Sequence, residues 1–143
     1  MRFRKRRLLL LAVIVAVCFL GTTYLALEAG GVLVVETKRA DRDEARRTHV
    51  WYITDGDRLY LEAGHPDNPW VRDLRHVQRI KIIGQRIGGE YAFVIKETPA
   101  DRTTIRQMMR AKYGWRDWWI SALFDTAHSR MVELKRSPPK ALD

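Results

Sequence analysis

EAGHPDNPWVRDLRHVQRIKIIGQRIGGEYAFVIKETPADRTTIRQMMRAKYGW, residues 62–115, is the stretch whose reading decides the fold. It opens as a strand end. Asn68 can then cap a helix, and Pro69 suits the first helical position, where its missing N–H costs nothing. Trp70, Val71, Leu74 and Val77 share one face of that short helix. Residues 80–87 and 91–96 flank Gly88-Gly89 and read as a β-hairpin. Thr98-Pro99-Ala100-Asp101 starts a second helix with a capping-box arrangement in which Asp101 replaces the usual Glu or Gln. Ile105, Met108, Met109 and Tyr113 line its buried face, and Gly114 is a natural C-terminal stop.

The flanking segments extend the pattern. Trp115, Trp118, Trp119, Ala122 and Leu123 recur at helical spacing. They serve either as core or as a membrane-facing patch. Upstream, residues 32–35 form a continuous apolar run that reads as a buried strand. HVWYIT at 49–54 and RLYL at 58–61 enclose Asp55-Gly56-Asp57, a strong hairpin turn. Residues 39–47 read as a charged turn or loop. RMVEL at 130–134 is the last strand, and Ser137-Pro138-Pro139 ends the fold. Strands outnumber helices and hairpins dominate, which predicts a mainly β (α+β) domain: a small antiparallel barrel with helices packed at its ends.

Residues 8–27 contain no charge. At about 1.5 Å per residue they span roughly 30 Å, the hydrocarbon thickness of a bilayer. The adjacent flank RFRKRR favours a cytoplasmic N-terminus. The expected organisation is a basic flank at 1–7, a transmembrane helix at 8–27, the folded domain at 28–136 beginning with the hinge EAGG, and a tail at 137–143. This is a single-pass inner-membrane protein with its domain on the outer face. The competing reading is a cleaved signal peptide, for which Leu27-Glu28-Ala29 is a poor cleavage site. Tyr24 suits the far interface.

The net charge of +9 is concentrated at the flank. Removing Arg2, Arg4, Lys5, Arg6 and Arg7 from 26 basic residues leaves 21 against 17 acids. A surplus of four is an ordinary solvated surface, so no nucleic-acid partner is expected. The single Cys18 lies in the apolar run and allows no intrachain disulfide. No metal-ligand spacing, nucleophile–base set, phosphate loop or carboxylate pair is present. Any catalysis must therefore be borne by a cofactor. His49 and His65 are the histidines placed to contact a phosphate or relay a proton; His76 and His128 read as surface.

RRTHVWYI at 46–53, NPWVRDL at 68–74, the strand pair around Gly88-Gly89 and RAKYGW at 110–115 resemble, in order and spacing, the flavin- or deazaflavin-binding split-barrel proteins. That superfamily includes the pyridoxamine-phosphate oxidases and the deazaflavin-dependent nitroreductases. The resemblance covers about residues 31–135 and implies a split barrel that pairs as a homodimer. It also implies FMN or F420 as cofactor, with a quinone, nitro compound or other small electrophile as substrate. By the resemblance, Arg47, Thr48, His49 and Val50 on the second strand, with Gly64 and His65 at the next strand end, would hold the cofactor's phosphate and ring edge. Trp70 would pack near the ring, and Tyr113 and Trp115 would help close the pocket. Arg47 offers a planar fork of donors to a phosphate, and Gly64 allows close approach to a ring. The acids among residues 38–44 and Glu62 have the wrong sign for a phosphate site. The alternative function is a non-catalytic barrel that binds a lipid-like ligand or a protein partner at the membrane.

Overall fold

A computed structural model describes residues 2–28, 31–84 and 86–136. The middle of the proposed hinge, Ala29 and Gly30, and the tail at 137–143 lie outside the described residues. Helix α1 is Arg2–Glu28. It is followed by strands β1 (Val32–Lys38), β2 (Ala45–Asp55) and β3 (Arg58–Ala63), helix α2 (Pro69–Leu74), strands β4 (Arg79–Ile83) and β5 (Gly89–Lys96), helices α3 (Pro99–Tyr113) and α4 (Trp115–Leu123), and strand β6 (Arg130–Arg136). The six strands close into an antiparallel barrel in the order β1-β2-β3-β6-β5-β4. Closure leaves no unpaired sheet edge within the barrel.

The period-two alternation of each strand builds two cores on opposite sides of one sheet. Inside the barrel, Leu33, Val35, Val50, Leu59, Leu61, Ile80, Ile82, Tyr91, Val132 and Leu134 pack together, and α2 adds Trp70, Val71 and Leu74. On the outer wall, Trp51, Ile53, Tyr60 and Met131 are covered by Ile105, Met109 and Tyr113 of α3. The Thr98–Asp101 capping box forms as the sequence predicts. Gly114 has φ +56°, the left-handed conformation that glycine adopts freely, and it breaks α3 from α4.

Three local expectations are corrected. β2 starts at Ala45, so Arg46 and Arg47 are strand residues paired with Thr37 and Glu36 of β1. β4 ends at Ile83, short of the predicted Ile87, because Gly84 and Gly88 approach so closely that a Cβ on Gly88 would stand 2.6 Å from the Gly84 carbonyl. Asn68 flanks α2 without a side-chain cap.

Asp73 of α2 is buried and fixes the β1–β2 turn over one end of the barrel. It accepts hydrogen bonds from Thr37 Oγ1 at 2.9 Å, Arg46 Nε at 2.8 Å and the Ala40 N–H at 3.2 Å. Burial raises its pKa, but Arg46, Ala40 and Thr37 outweigh that and hold it below the ordinary 3.8. A carboxyl depressed in the fold contributes stability above its unfolded pKa and loses it as pH falls through the lower native value. Asp73→Asn should therefore cost about 1–3 kcal/mol at pH 7. The gap between variant and parent thermal midpoints should narrow once the pH drops below the ordinary carboxylate range. A gap that is independent of pH would show that the charge on Asp73 is not the stabilising feature.

Candidate functional site

Along β2 the side chains alternate. Val50 and Tyr52 join the barrel interior, while Trp51 and Ile53 face α3. At the end of β3 the chain leaves the barrel through Gly64 and turns into α2. Between these elements and the last turn of α1 lies an open cleft of about 470 Å³. That size falls within the ~300–1,000 Å³ of small-molecule sites. Arg47, Thr48, His49, Val50, Gly64 and Trp70 all line it, together with Leu27, Glu62 and Asn68. A Cβ built on Gly64 would meet nothing within 4 Å, so the cleft is open in front of that backbone.

The other three residues singled out from the sequence lie elsewhere. His65 lines a second cleft of about 410 Å³ that shares Leu27, Glu62, Gly64 and Asn68 with the first and adds Arg106, Ile120 and Phe124. Tyr113 is 2% exposed and stacks on Trp51 at 4.3 Å between ring centroids. Its hydroxyl lies 2.9 Å from the Gly31 carbonyl and accepts from the Tyr52 N–H at 3.0 Å. It closes the space beneath α3, so the expectation that it lines a cofactor pocket is corrected. Trp115 is 54% exposed at the start of α4 and lines neither cleft. Trp70 is itself a core residue, so it is a fixed wall of the cleft.

The cations at the cleft already have partners. Arg47 Nε donates to Glu36 Oε2 at 2.8 Å across the β1–β2 pair, and Lys81 Nζ on β4 stands 3.7 Å from the other Glu36 oxygen. The hydrogen bond from Arg47, aided by Lys81, holds Glu36 below the ordinary carboxylate range against its partial burial. Arg47 remains 69% exposed, so this pair is weak and displaceable. Arg46 is committed to Asp73. His49 Nδ1 lies 3.0 Å from Glu28 Oε2 at the end of α1.

One cluster was not anticipated from sequence. Arg106 of α3 bridges two buried carboxylates, Glu62 of β3 and Asp117 of α4, and also donates to Ser121 Oγ at 2.8 Å. Glu62 is thus half of a structural ion pair as well as a wall of both clefts. Burial pushes its carboxyl above the ordinary range, against the opposing charge of Arg106. Forty-four residues separate Glu62 from Arg106, and no local pattern links them. The available signal was Arg106 itself, adjacent to buried Ile105 and three residues before buried Met109, at the edge of the apolar face of α3. Among the described residues, no group of three His, Cys, Asp or Glu is placed to hold a metal ion.

The barrel is similar to several solved structures. A conserved hypothetical protein from Mycobacterium tuberculosis aligns with TM-score 0.55 at 14% identity, covering 80% of this chain and 79% of that one. An F420 reductase aligns with TM-score 0.51 at 12% identity, covering 79% and 91%. A FAD-binding protein from Mesorhizobium loti aligns with TM-score 0.50 at 12% identity, covering 83% and 89%. No protein-family model and no curated protein matches the sequence. At these identities the likeness is one of fold: this chain is a split barrel.

Arg106→Met would leave two buried carboxylates facing each other without their shared cation. The expected cost is about 3–5 kcal/mol, read as a lowered thermal midpoint of the full chain in detergent. Burial already raises the Glu62 carboxyl, and a carboxyl raised above its unfolded value destabilises the fold at neutral pH until the pH falls through the raised value. The deficit should therefore shrink on acidification. Arg106→Lys should recover only part of it, since an ammonium cannot present the same planar fork to two acids.

Proposed function

We propose that the chain is a membrane-anchored split-barrel oxidoreductase. It would hold FMN or the deazaflavin F420 in the 470 Å³ cleft and reduce a quinone, nitro compound or other small electrophile. The observation that carries this reading is convergence. Six residues selected by resemblance to flavin- and deazaflavin-binding barrels come together on one cleft of suitable size. Two of the proteins that share the fold are an F420 reductase and a FAD-binding protein.

The donor chemistry fits an anionic, planar group. Arg47 would hold the phosphate end by exchanging its contact with Glu36 for a doubly charged partner. Thr48 adds a hydroxyl donor. The open space in front of Gly64 admits the edge of a ring, with Trp70 as the apolar wall behind it. When bound, the cofactor supplies hydride transfer; the residues position it and limit water. His65 and the second cleft would receive the small electrophile beside it.

The anchor reading rests on α1, whose stretch Arg4–Glu28 is long and apolar enough to cross a membrane and has none of its apolar window buried by protein. The basic flank favours a cytoplasmic N-terminus, which would put the barrel on the outer face. A second reading, a non-catalytic barrel for a lipid-like ligand or protein partner, is favoured by one observation. Glu36 and Asp73 already neutralise Arg47 and Arg46.

Three substitutions separate the readings in an equilibrium titration that follows flavin or deazaflavin fluorescence. Gly64→Leu should abolish binding with little change in thermal midpoint, because the added side chain enters open space. Arg47→Ala should weaken binding about tenfold, the loss of roughly 1.4 kcal/mol expected of one charged hydrogen-bonding partner. Glu36→Gln should tighten it by freeing Arg47. If the parent chain binds neither cofactor, the oxidoreductase reading fails and the second reading stands.

A further inference from the structure

α1 ends in contact with the barrel, without a span of free chain before that contact. Trp119 Nε1 of α4 donates to Thr23 Oγ1 at 3.1 Å, and the Trp119 and Phe19 rings lie 5.6 Å apart. Trp51 Nε1 donates to the Leu27 carbonyl at 3.0 Å, and Ala26 is fully buried. These contacts fix the depth of α4. If residues 8–27 fill the hydrocarbon, Thr23 and Phe19 lie four and eight residues inside one boundary, or about 6–12 Å at ~1.5 Å per residue. The charged flank at Arg4–Arg7 opposes sliding the helix the other way. A helix packed against that part of α1 therefore cannot stand clear of the leaflet.

The chemistry of α4 matches that position. Its outward side carries Trp115, Trp118, Ala122 and Leu123, with Trp118 69% exposed. Phe124 continues the apolar surface. The acid of α4, Asp117, points inward to Arg106. Arg116 lies over the Trp115 ring at 5.7 Å, and Arg110 is largely exposed on the neighbouring turn. An apolar face rich in tryptophan and edged by arginines is the composition of a helix lying in the headgroup–acyl boundary.

We propose that α4 is an in-plane membrane helix. Its Trp115, Trp118, Ala122 and Leu123 face rests in the leaflet where α1 ends, so the barrel sits on the bilayer at two points. This rests on the membrane-anchor reading of α1 and does not depend on cofactor binding. It also places Ile120 and Phe124, which wall the second cleft, at the lipid boundary.

The test uses the full chain in vesicles of phosphatidylcholine and phosphatidylglycerol, with single cysteines carrying an environment-sensitive fluorophore. The native Cys18 reports α1. Ala122→Cys and Trp118→Cys, each combined with Cys18→Ser, report α4. Asp43→Cys, in the exposed β1–β2 turn and likewise combined with Cys18→Ser, is the aqueous reference. Lipids bearing a nitroxide on the acyl chain should quench most of the emission at 18, 118 and 122 and leave 43 unchanged. Quenching at 18 with 118 and 122 behaving like 43 overturns the proposal and leaves the anchor intact. No quenching at 18 overturns both. Labels at 118 and 122 that are shielded from aqueous iodide but untouched by nitroxide lipid would mean that a second copy or another protein covers this face, which also overturns it.

Discussion

Arg106 holds Glu62 and Asp117 together, and that contact joins α3 and α4 to the barrel wall. The bridge ties the end of β3 to α3 and α4 across the outside of the sheet. From α4, Trp119 meets Phe19 and Thr23, and further along α1 the Leu27 carbonyl accepts from Trp51. Leu27 thereby becomes a wall shared by both clefts. A buried cation between two acids is a poor source of net stability compared with apolar packing, but it is unforgiving of the loss of one partner. Its structural consequence here is geometric, because it selects one position for α4 among the many that an apolar face alone would allow.

The second constraint is charge balance at the cleft. The resemblance expects Arg47 of β2 to meet a phosphate, yet Arg47 and its neighbour Arg46 are each met by an acid: Arg46 by Asp73 and Arg47 by Glu36. The two pairs differ in consequence. Asp73 is buried and accepts three hydrogen bonds, so Arg46 belongs to the architecture. Arg47 is solvent-exposed and its pair can be exchanged for a ligand at little cost. On the proposed reading, Arg47 is the residue that meets the anionic end of the cofactor, and Glu36 sets how much affinity is lost to competition.

Much of the fold was legible because its signals are local. The capping box at Thr98, the stop at Gly114 and the turn at Asp55-Gly56-Asp57 each state a backbone geometry within four residues. The alternation of HVWYIT identified β2, although its start at Ala45 was hidden: Arg46 and Arg47 look like loop residues until β1 supplies Thr37 and Glu36 as partners. The tryptophans of α4 have helical spacing, but spacing alone does not distinguish core from surface. The structure leaves Trp115 and Trp118 exposed and turns Trp119 toward α1. Tyr113 lies on the buried face of α3 that the helical spacing predicts, and only the pocket-closing role implied by the resemblance differs. Its hydroxyl satisfies backbone groups of Gly31 and Tyr52 beneath α3 and is turned away from both clefts. The Glu62–Arg106–Asp117 cluster was out of reach because its members are brought together only by the closed barrel.

On the proposed reading, the cleft walled by β2, Gly64 and Trp70 holds a flavin-type cofactor. The most direct test of that reading is the visible absorbance spectrum of the full chain in detergent, incubated separately with FMN and with F420 and passed through gel filtration. One chromophore should co-elute with the protein at one per chain, with a band shifted from that of the free cofactor. Elution of both chromophores entirely apart from the protein would contradict the reading.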